Sequence, residues 1–206
     1  MKDIRVVAFD CDGVMFDTAR ANTEYYNRVL AHLGKPGMTP EQFAYCHMQT
    51  AAASMVCLFA DERERDAAEA YRRTLGYESF LRYMKPESHL KPLLEKLRPA
   101  YKTAVATNRS DTMGGLLAEF GLTEYFDLVV TALDVKYPKP HPEPLIKVLE
   151  YFSISPEQIL YVGDSQVDQV AAKAAGIPLI AYDNPSLEAA FHITNLKEVE
   201  DILLGD

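Results

Sequence analysis

Strand-like and helix-like segments alternate along the second half of this chain, and this alternation constrains its fold more than any other feature. Short apolar runs end in polar or glycine-containing turns, and segments with apolar residues at helical spacing follow them. The predicted strands cover residues 102–107, 127–131, 159–162 and 177–181, and the predicted helices cover residues 88–97, 111–120, 142–152 and 166–175. A parallel sheet covered by helices accommodates this order most simply. We therefore predict an α/β fold.

One further strand is predicted near the N-terminus, far from the others in the chain. Residues 6–9 are four consecutive apolar residues, two of them β-branched, which suits a central strand buried on both faces. Helical patterns then cover residues 19–33, 51–59 and 61–75, with a further helix start at residues 39–42, and residues 19–85 contain no convincing strand. We predict that residues 1–18 and 86–206 form the α/β core and that residues 19–85 form a helical insertion.

Composition narrows the possible functions. The 206 residues are 48% hydrophobic, enough for an ordered core, and 30 acidic residues against 21 basic ones give a net charge of -9. This charge argues against a protein that binds nucleic acid or an anionic membrane. The early charges and the short apolar runs predict neither a signal peptide nor a membrane span. The cysteines are sparse and odd in number, which predicts that the protein resides in the reducing cytoplasm. They are Cys11, Cys46 and Cys57, and we interpret Cys11 as a small buried hydrophobic residue.

The N-terminal strand ends in two acids followed by a glycine. Asp10 and Asp12 lie two positions apart, so on an extended backbone their side chains point the same way. They could address one ligand together, as nucleophile and proton carrier or as part of a metal site. A solvated loop or a helix cap would use the same residue types. Gly13 can supply the backbone angles that the chain needs to leave the strand.

Polar residues also follow the other predicted strands, and ligands of open parallel sheets bind beyond these carboxyl ends. Thr107 and Asn108 could bind phosphate at the start of a helix, although a turn and cap would also use them. Lys139 lies between two prolines and could clamp a phosphate, whereas an isolated lysine is usually a solvated surface charge. Asp164 and Asp168 supply oxygen ligands of the kind that Mg²⁺ prefers.

Taken in chain order, these polar groups match a known set of motifs. The chain resembles the haloacid dehalogenase-like phosphohydrolase superfamily, in the phosphoglycolate phosphatase-like branch that carries a helical cap after the first core strand. The resemblance rests on Asp10-Cys11-Asp12-Gly13-Val14 with Asp17, on Thr107-Asn108, on Lys139-Pro140 and on Gly163-Asp164-Ser165 with Asp168. It covers essentially the whole chain, and it implies a Rossmann-like parallel core with an all-helical cap at residues 19–85.

The resemblance implies a covalent mechanism. Asp10 would be the nucleophile that forms an aspartyl phosphate, and Asp12 would protonate the leaving alkoxide and then activate the hydrolytic water. Mg²⁺ would be held by Asp10, the Asp12 carbonyl and Asp164, with Asp168 as a further ligand or a supporting residue. Thr107 and Lys139 would bind the phosphoryl oxygens.

Asn108 is a further substrate-binding candidate beside these residues. The implied substrate is a small phosphorylated metabolite, hydrolysed by a cytoplasmic Mg²⁺-dependent phosphatase. The sequence does not indicate which metabolite this is, nor the oligomeric state.

Three alternatives stay open. A sugar-phosphate mutase of the same family is disfavoured because such enzymes often carry histidine in the first cap helix, where this chain has Asn22. The second alternative is a pyrophosphatase of the same family, with inorganic pyrophosphate as its substrate. A phospho-accepting signalling receiver also places acids, a hydroxyl and a lysine at strand ends, but its acceptor follows the third strand rather than the first. Asp12 disfavours a dehalogenase, which does not need to protonate a leaving alcohol.

Overall fold

The computed structural model describes residues 3–204 and contains a six-stranded parallel sheet. The strands are β1 (Val6–Phe9), β2 (Phe16–Asp17), β3 (Lys85–Pro86), β4 (Lys102–Ala106), β5 (Leu128–Val130), β6 (Ile159–Gly163), β7 (Leu179–Tyr182) and β8 (Phe191–Ile193). The large sheet has the order β5-β4-β1-β6-β7-β8 with parallel neighbours throughout, and β2 pairs with β3 separately. The predicted α/β fold is confirmed.

Helices flank this sheet and also build the segment between β2 and β3. They are α1 (Ala19–His32), α2 (Pro40–Met48), α3 (Ala51–Leu58), α4 (Glu62–Leu75), α5 (Leu90–Leu97), α6 (Met113–Glu119), α7 (Glu143–Phe152), α8 (Gln166–Ala175) and α9 (Glu198–Leu204). Short 3₁₀ turns cover Glu78–Tyr83, Thr123–Tyr125 and Pro156–Gln158. Within residues 3–204, no helix combines the length and apolar character that crossing a membrane requires.

Strand β1 occupies a central position, as its sequence predicts. All four of its residues are fully buried, and it lies between β4 and β6. In register, Phe9 lies opposite Val105 on one side and Val162 on the other. The residues that follow these three strands therefore emerge together at one edge of the sheet.

The chain divides into two compact units. One unit ends at Phe16 and resumes at Pro86, and the other is Asp17–Lys85. The first contains the whole six-stranded sheet, whose faces are covered by apolar residues that include Leu145 of α7 and Ala171 of α8. The second contains α1 to α4 and the turn at Glu78–Tyr83, which makes it almost entirely helical.

Local signals in the helical unit explain where its helices begin and how it packs. Thr39 and Gln42 form a capping box at the start of α2: the Gln42 N–H donates to Thr39 Oγ1 at 3.2 Å, and the Thr39 N–H donates to Gln42 Oε1 at 2.9 Å. Tyr25 of α1 packs edge-on against Tyr77 and Phe80, with ring centroids 5.0 and 5.4 Å away. This aromatic group gives the unit a core of its own.

Candidate active site

The candidate site begins at the carboxyl end of β1. The Asp10 N–H donates to the Val162 carbonyl oxygen at 2.8 Å, and Asp10 is only 7% exposed. Strand β1 ends at Phe9, so the alternation of an extended strand does not reach as far as Asp12. The two acids lie in the turn after the strand and contact different basic partners, Lys139 and Arg109.

Lys139 forms the centre of the site. This side chain is buried, and its Nζ lies 2.8 Å from Asp10 Oδ1, 2.6 Å from Asp168 Oδ1 and 2.8 Å from the Tyr161 hydroxyl oxygen. Two N–H groups of the ammonium donate to Asp168 Oδ1 and to the Tyr161 hydroxyl oxygen, and Asp10 Oδ1 forms an ion pair with the same group. Burial by itself lowers the pKa of Lys139, but the two carboxylates raise it above its ordinary value. The lysine is therefore a fixed positive charge, in contrast to the solvated surface lysine of the alternative reading.

Asp168 is a completely buried carboxylate whose two oxygens both have protein partners. Its Oδ2 accepts hydrogen bonds from the Ser165 N–H at 3.1 Å and from the Ser165 hydroxyl, while Oδ1 faces Lys139 and lies 2.7 Å from the Tyr161 hydroxyl. Burial alone raises the pKa of Asp168, but Lys139 and these hydrogen bonds lower it below the ordinary value. Asp168 thus braces both the start of α8 and the lysine.

Asp164 lies against Gly13, and this contact explains the glycine. Gly13 has φ +84°, which L side chains rarely adopt, and a Cβ added there would lie 2.0 Å from Asp164 Oδ2. The Asp164 carbonyl oxygen accepts a hydrogen bond from Asn184 Nδ2 at 2.7 Å. Burial raises the pKa of Asp164 to about 8, with further contributions from the carboxylates of Asp168 and Asp10. Gly13 therefore both allows the turn and leaves room for an acid.

A divalent cation fits the acids at this edge. One carboxylate oxygen from each of Asp10, Asp164 and Asp168 lies within 4.8 Å of the others, and Lys139 is the ammonium group placed between Asp10 and Asp168. Three ionised carboxylates and one ammonium leave two negative charges uncompensated. Burial raises the pKa of Asp10 to about 7, with Lys139 opposing the shift and Asp168 adding to it. Crowded, dehydrated carboxylates of this kind are the oxygen ligands that Mg²⁺ binds.

Asp10 offers a second sign of an available ligand atom. Its buried Oδ1 forms an ion pair with Lys139 Nζ at 2.8 Å, and no residue in the range 3–204 is placed to give this oxygen a hydrogen bond. Asp168 differs because both of its oxygens are engaged. Asp10 and Asp164 therefore fit a metal ion as direct side-chain ligands, whereas Asp168 fits a supporting position.

Asp12 is held by a residue that the sequence interpretation did not select. Arg109 Nε donates to Asp12 Oδ2 and Arg109 Nη2 donates to Asp12 Oδ1, both at 2.8 Å, which gives a bidentate ion pair. Arg109 follows the predicted Thr107-Asn108 motif directly. The sequence shows Arg109 only as a basic residue in a polar loop after a strand, and its partner Asp12 lies 97 positions away.

Thr107 and Asn108 are both buried in the loop after β4. The Arg109 N–H donates to Thr107 Oγ1 at 3.2 Å, and Asn108 Nδ2 donates to the Lys139 carbonyl oxygen at 2.9 Å. Asn108 thereby connects the loop to the segment that carries the lysine. Helix α6 begins at Met113, two residues after the predicted start at residue 111 and six residues after Thr107. Backbone of the loop separates the two.

Known proteins resemble this chain over nearly its whole length. The family model of haloacid dehalogenase-like hydrolases matches residues 7–182. A phosphoglycolate phosphatase from Chromobacterium violaceum is 30% identical over 222 residues, covering 98% of each protein, and one from Photorhabdus laumondii is 31% identical over 190 residues, covering 87% of this chain and 80% of that protein. A crystal structure of a HAD-superfamily hydrolase, subfamily IA, from Geobacter sulfurreducens is 38% identical with a TM-score of 0.80, covering 97% of this chain and 96% of that one. The chain therefore belongs to the haloacid dehalogenase-like hydrolase family.

Proposed function

We propose that this hydrolase is a Mg²⁺-dependent phosphatase that cleaves a small phosphomonoester with Asp10 as its nucleophile. The observation that carries the proposal is the placement of Asp10 at the end of the central strand, beside the buried ammonium of Lys139 and grouped with Asp164. In this proposal, residues 1–18 and 86–206 are the catalytic core, and residues 19–85 are a helical cap domain.

Asp10 would attack the phosphorus atom with a carboxylate oxygen. A bond forms between Asp10 and phosphorus, the bond from phosphorus to the alcohol oxygen breaks, and an aspartyl phosphate results. Nucleophile and substrate are both anionic, so positive charge must offset their repulsion. Lys139 is suited to this because it is 2% exposed and lies 2.8 Å from Asp10 Oδ1.

Mg²⁺ would be held by the side chains of Asp10 and Asp164 and by the backbone carbonyl of Asp12, with Asp168 in support. When bound, the ion supplies positive charge to the phosphoryl oxygens. The grouping of the carboxylates of Asp10, Asp164 and Asp168 around a single ammonium, and the Asp10 oxygen without a hydrogen bond, support this assignment. Asn184 would position Asp164 by donating a hydrogen bond to its carbonyl oxygen, and Gly13 would leave room for its carboxylate.

Asp12 would serve the leaving group. It would give a proton to the departing alcohol oxygen in the first step and take a proton from water in the second, when the aspartyl phosphate is hydrolysed. Thr107 would donate its hydroxyl hydrogen to a phosphoryl oxygen, and Asn108 would support the same loop through the Lys139 carbonyl. With these roles, a charged group or a hydrogen-bond donor would follow each of the strands β1, β4, β5 and β6.

Phosphoglycolate is the first substrate to test. Two relatives that are about as long as this chain and 30–31% identical to it are phosphoglycolate phosphatases. We also propose that the enzyme works in the cytoplasm, where its free cysteines would stay reduced.

The test uses Asp10→Asn, an isosteric change that removes the nucleophile. Phosphate release from p-nitrophenyl phosphate and from phosphoglycolate is measured with Mg²⁺ and with EDTA. We expect the wild type to turn over only with Mg²⁺ and Asp10→Asn to lose at least about 1,000-fold in kcat, as expected when a covalent nucleophile is removed.

Asp66→Asn is the matched control because Asp66 is exposed on α4 and lies outside the acid cluster. It should behave like the wild type. Appreciable turnover by a folded Asp10→Asn protein, or full wild-type activity in EDTA, would reject the assignment.

A further inference from the structure

We infer that Arg109 determines substrate specificity: its guanidinium binds a carboxylate on the leaving group of the substrate, in exchange for the carboxylate of Asp12. The preferred substrates are then phosphate monoesters of hydroxy acids rather than of neutral alcohols. This inference rests on the proposed phosphatase function, and it assigns a residue and an exchange of partners that the family motifs do not describe.

The Arg109–Asp12 pair is a built carboxylate site. Two parallel N–H···O contacts of 2.8 Å join the groups, and the side chains are only 7% and 15% exposed. Arg109 Nη1 also donates to Thr112 Oγ1 at 3.1 Å, which fixes the plane of the guanidinium. The backbone is held too, because the Arg109 carbonyl oxygen accepts from the Ala132 N–H at 2.8 Å. The arginine is therefore rigid, with its carboxylate-binding edge already formed.

The same pair restrains Asp12. Its proposed task requires a carboxyl oxygen at the leaving group, but both of its oxygens are engaged by Arg109. Asp12 must therefore release at least one N–H donor during turnover. A buried guanidinium that loses its counter-ion is strongly destabilised unless another anion replaces it.

A carboxylate on the leaving group meets this requirement. It has the same planar geometry and charge as the Asp12 side chain, so it can accept the same two hydrogen bonds. A neutral alcohol cannot, and a polar site left without its partner rejects the uncharged analogue strongly. Substrates that carry the carboxylate would therefore both bind to Arg109 and free Asp12.

The test compares two esters that differ mainly in this group, 2-phosphoglycolate and 2-hydroxyethyl phosphate. Their kcat/KM values are measured with Mg²⁺ for the wild type, Arg109→Met, Arg109→Lys and the control Arg98→Met, which changes an exposed arginine in the same way. We expect the wild type to favour phosphoglycolate by at least about 100-fold, because the uncharged ester leaves the buried arginine without a partner.

The variants should change this ratio, whatever happens to the absolute rates. Arg109→Met should reduce the preference at least about tenfold. Arg109→Lys, which keeps the charge but not the bidentate geometry, should restore part of it. Arg98→Met should keep the wild-type ratio. If Arg109→Met does not fold, Arg109→Lys alone supplies the comparison with the wild type.

An equal loss for both esters would overturn the inference, because Arg109 would then contact the phosphoryl group common to both. An unchanged preference in both Arg109 variants would overturn it as well. If the wild type hydrolyses neither ester with Mg²⁺, the proposed function itself fails. Hydrolysis of both esters without a preference contradicts only the role of Arg109.

Discussion

Without Mg²⁺, raising the pH from 5 to 7 should destabilise the folded protein. Burial raises the pKa of Asp10 to about 7 and that of Asp164 to about 8, against an ordinary value of 3.8. An acid whose pKa is raised by folding contributes stability that is fully present below 3.8 and is lost as the pH rises toward the folded pKa. The loss therefore falls between pH 4 and pH 8.

The size of the effect follows from the two protons. Between pH 5 and 7 both acids are ionised in the unfolded chain, while the folded chain retains up to two protons. Each retained proton lowers the free energy of unfolding by about 1.4 kcal/mol per pH unit. Two pH units thus give a fall of at most about 5 kcal/mol, or about half of that if Asp10 and Asp164 share one proton. Asp168 does not oppose this fall, because its lowered pKa leaves it ionised in both states above pH 5.

Urea unfolding at pH 5, 6 and 7 measures this slope, once in EDTA and once in saturating Mg²⁺. We expect the fall in EDTA and a much weaker one with Mg²⁺, because the bound ion holds both acids ionised. Asp164→Asn should weaken the slope in EDTA, whereas the surface control Asp66→Asn should keep it. A flat profile in EDTA, or the same slope with and without Mg²⁺, would refute the reasoning.

Three substitutions test the geometry of the site. Gly13→Ala should lower the free energy of unfolding by about 1–2 kcal/mol, because alanine disfavours the left-handed backbone at this position. It should also weaken Mg²⁺ binding, because the added Cβ would displace Asp164. Urea unfolding and Mg²⁺ titration measure both effects, with Gly114→Ala, whose Cβ meets nothing within 4 Å, as the control. Tyr161→Phe should lower the free energy of unfolding by about 1–2 kcal/mol, because a buried N–H of Lys139 loses its acceptor; no loss in urea unfolding would contradict this. Lys139→Met should lower the free energy of unfolding by about 3–5 kcal/mol and abolish turnover, because the buried carboxylates of Asp10 and Asp168 lose their partner. Retained phosphate release would argue against the proposed role of Lys139 in catalysis.

The sequence was sufficient to predict five of the six strands of the large sheet, and the polar residues that follow β1, β4, β5 and β6, for a physical reason. A run of fully buried apolar residues such as Val6–Phe9 suits a central strand, and parallel topology brings the carboxyl ends of its neighbours to the same edge. Asp10, Lys139, Asp164 and Asp168 meet there in the structure. Their grouping follows from topology, while their catalytic roles stay a proposal.

Contacts between distant loops could not be read from local patterns. Arg109 reaches Asp12 across irregular backbone, and nothing in its neighbouring residues indicates this partner. Tyr161 reads as one more buried strand residue, yet its hydroxyl joins Lys139 and Asp168. Strand β8 and helix α9 were not predicted because β8 has three residues and only Ile193 of them is buried, which weakens the periodic signal.

The central claim is that Asp10 carries the phosphoryl group during turnover. Wild-type protein is mixed with Mg²⁺ and phosphoglycolate, quenched in acid within one turnover, and treated with borohydride, which reduces an aspartyl phosphate to homoserine. Peptide mass spectrometry should then find homoserine at position 10, and only when both Mg²⁺ and substrate were present. Phosphate release under the same conditions with aspartate unchanged at position 10, or with the modification at another residue, would contradict the account.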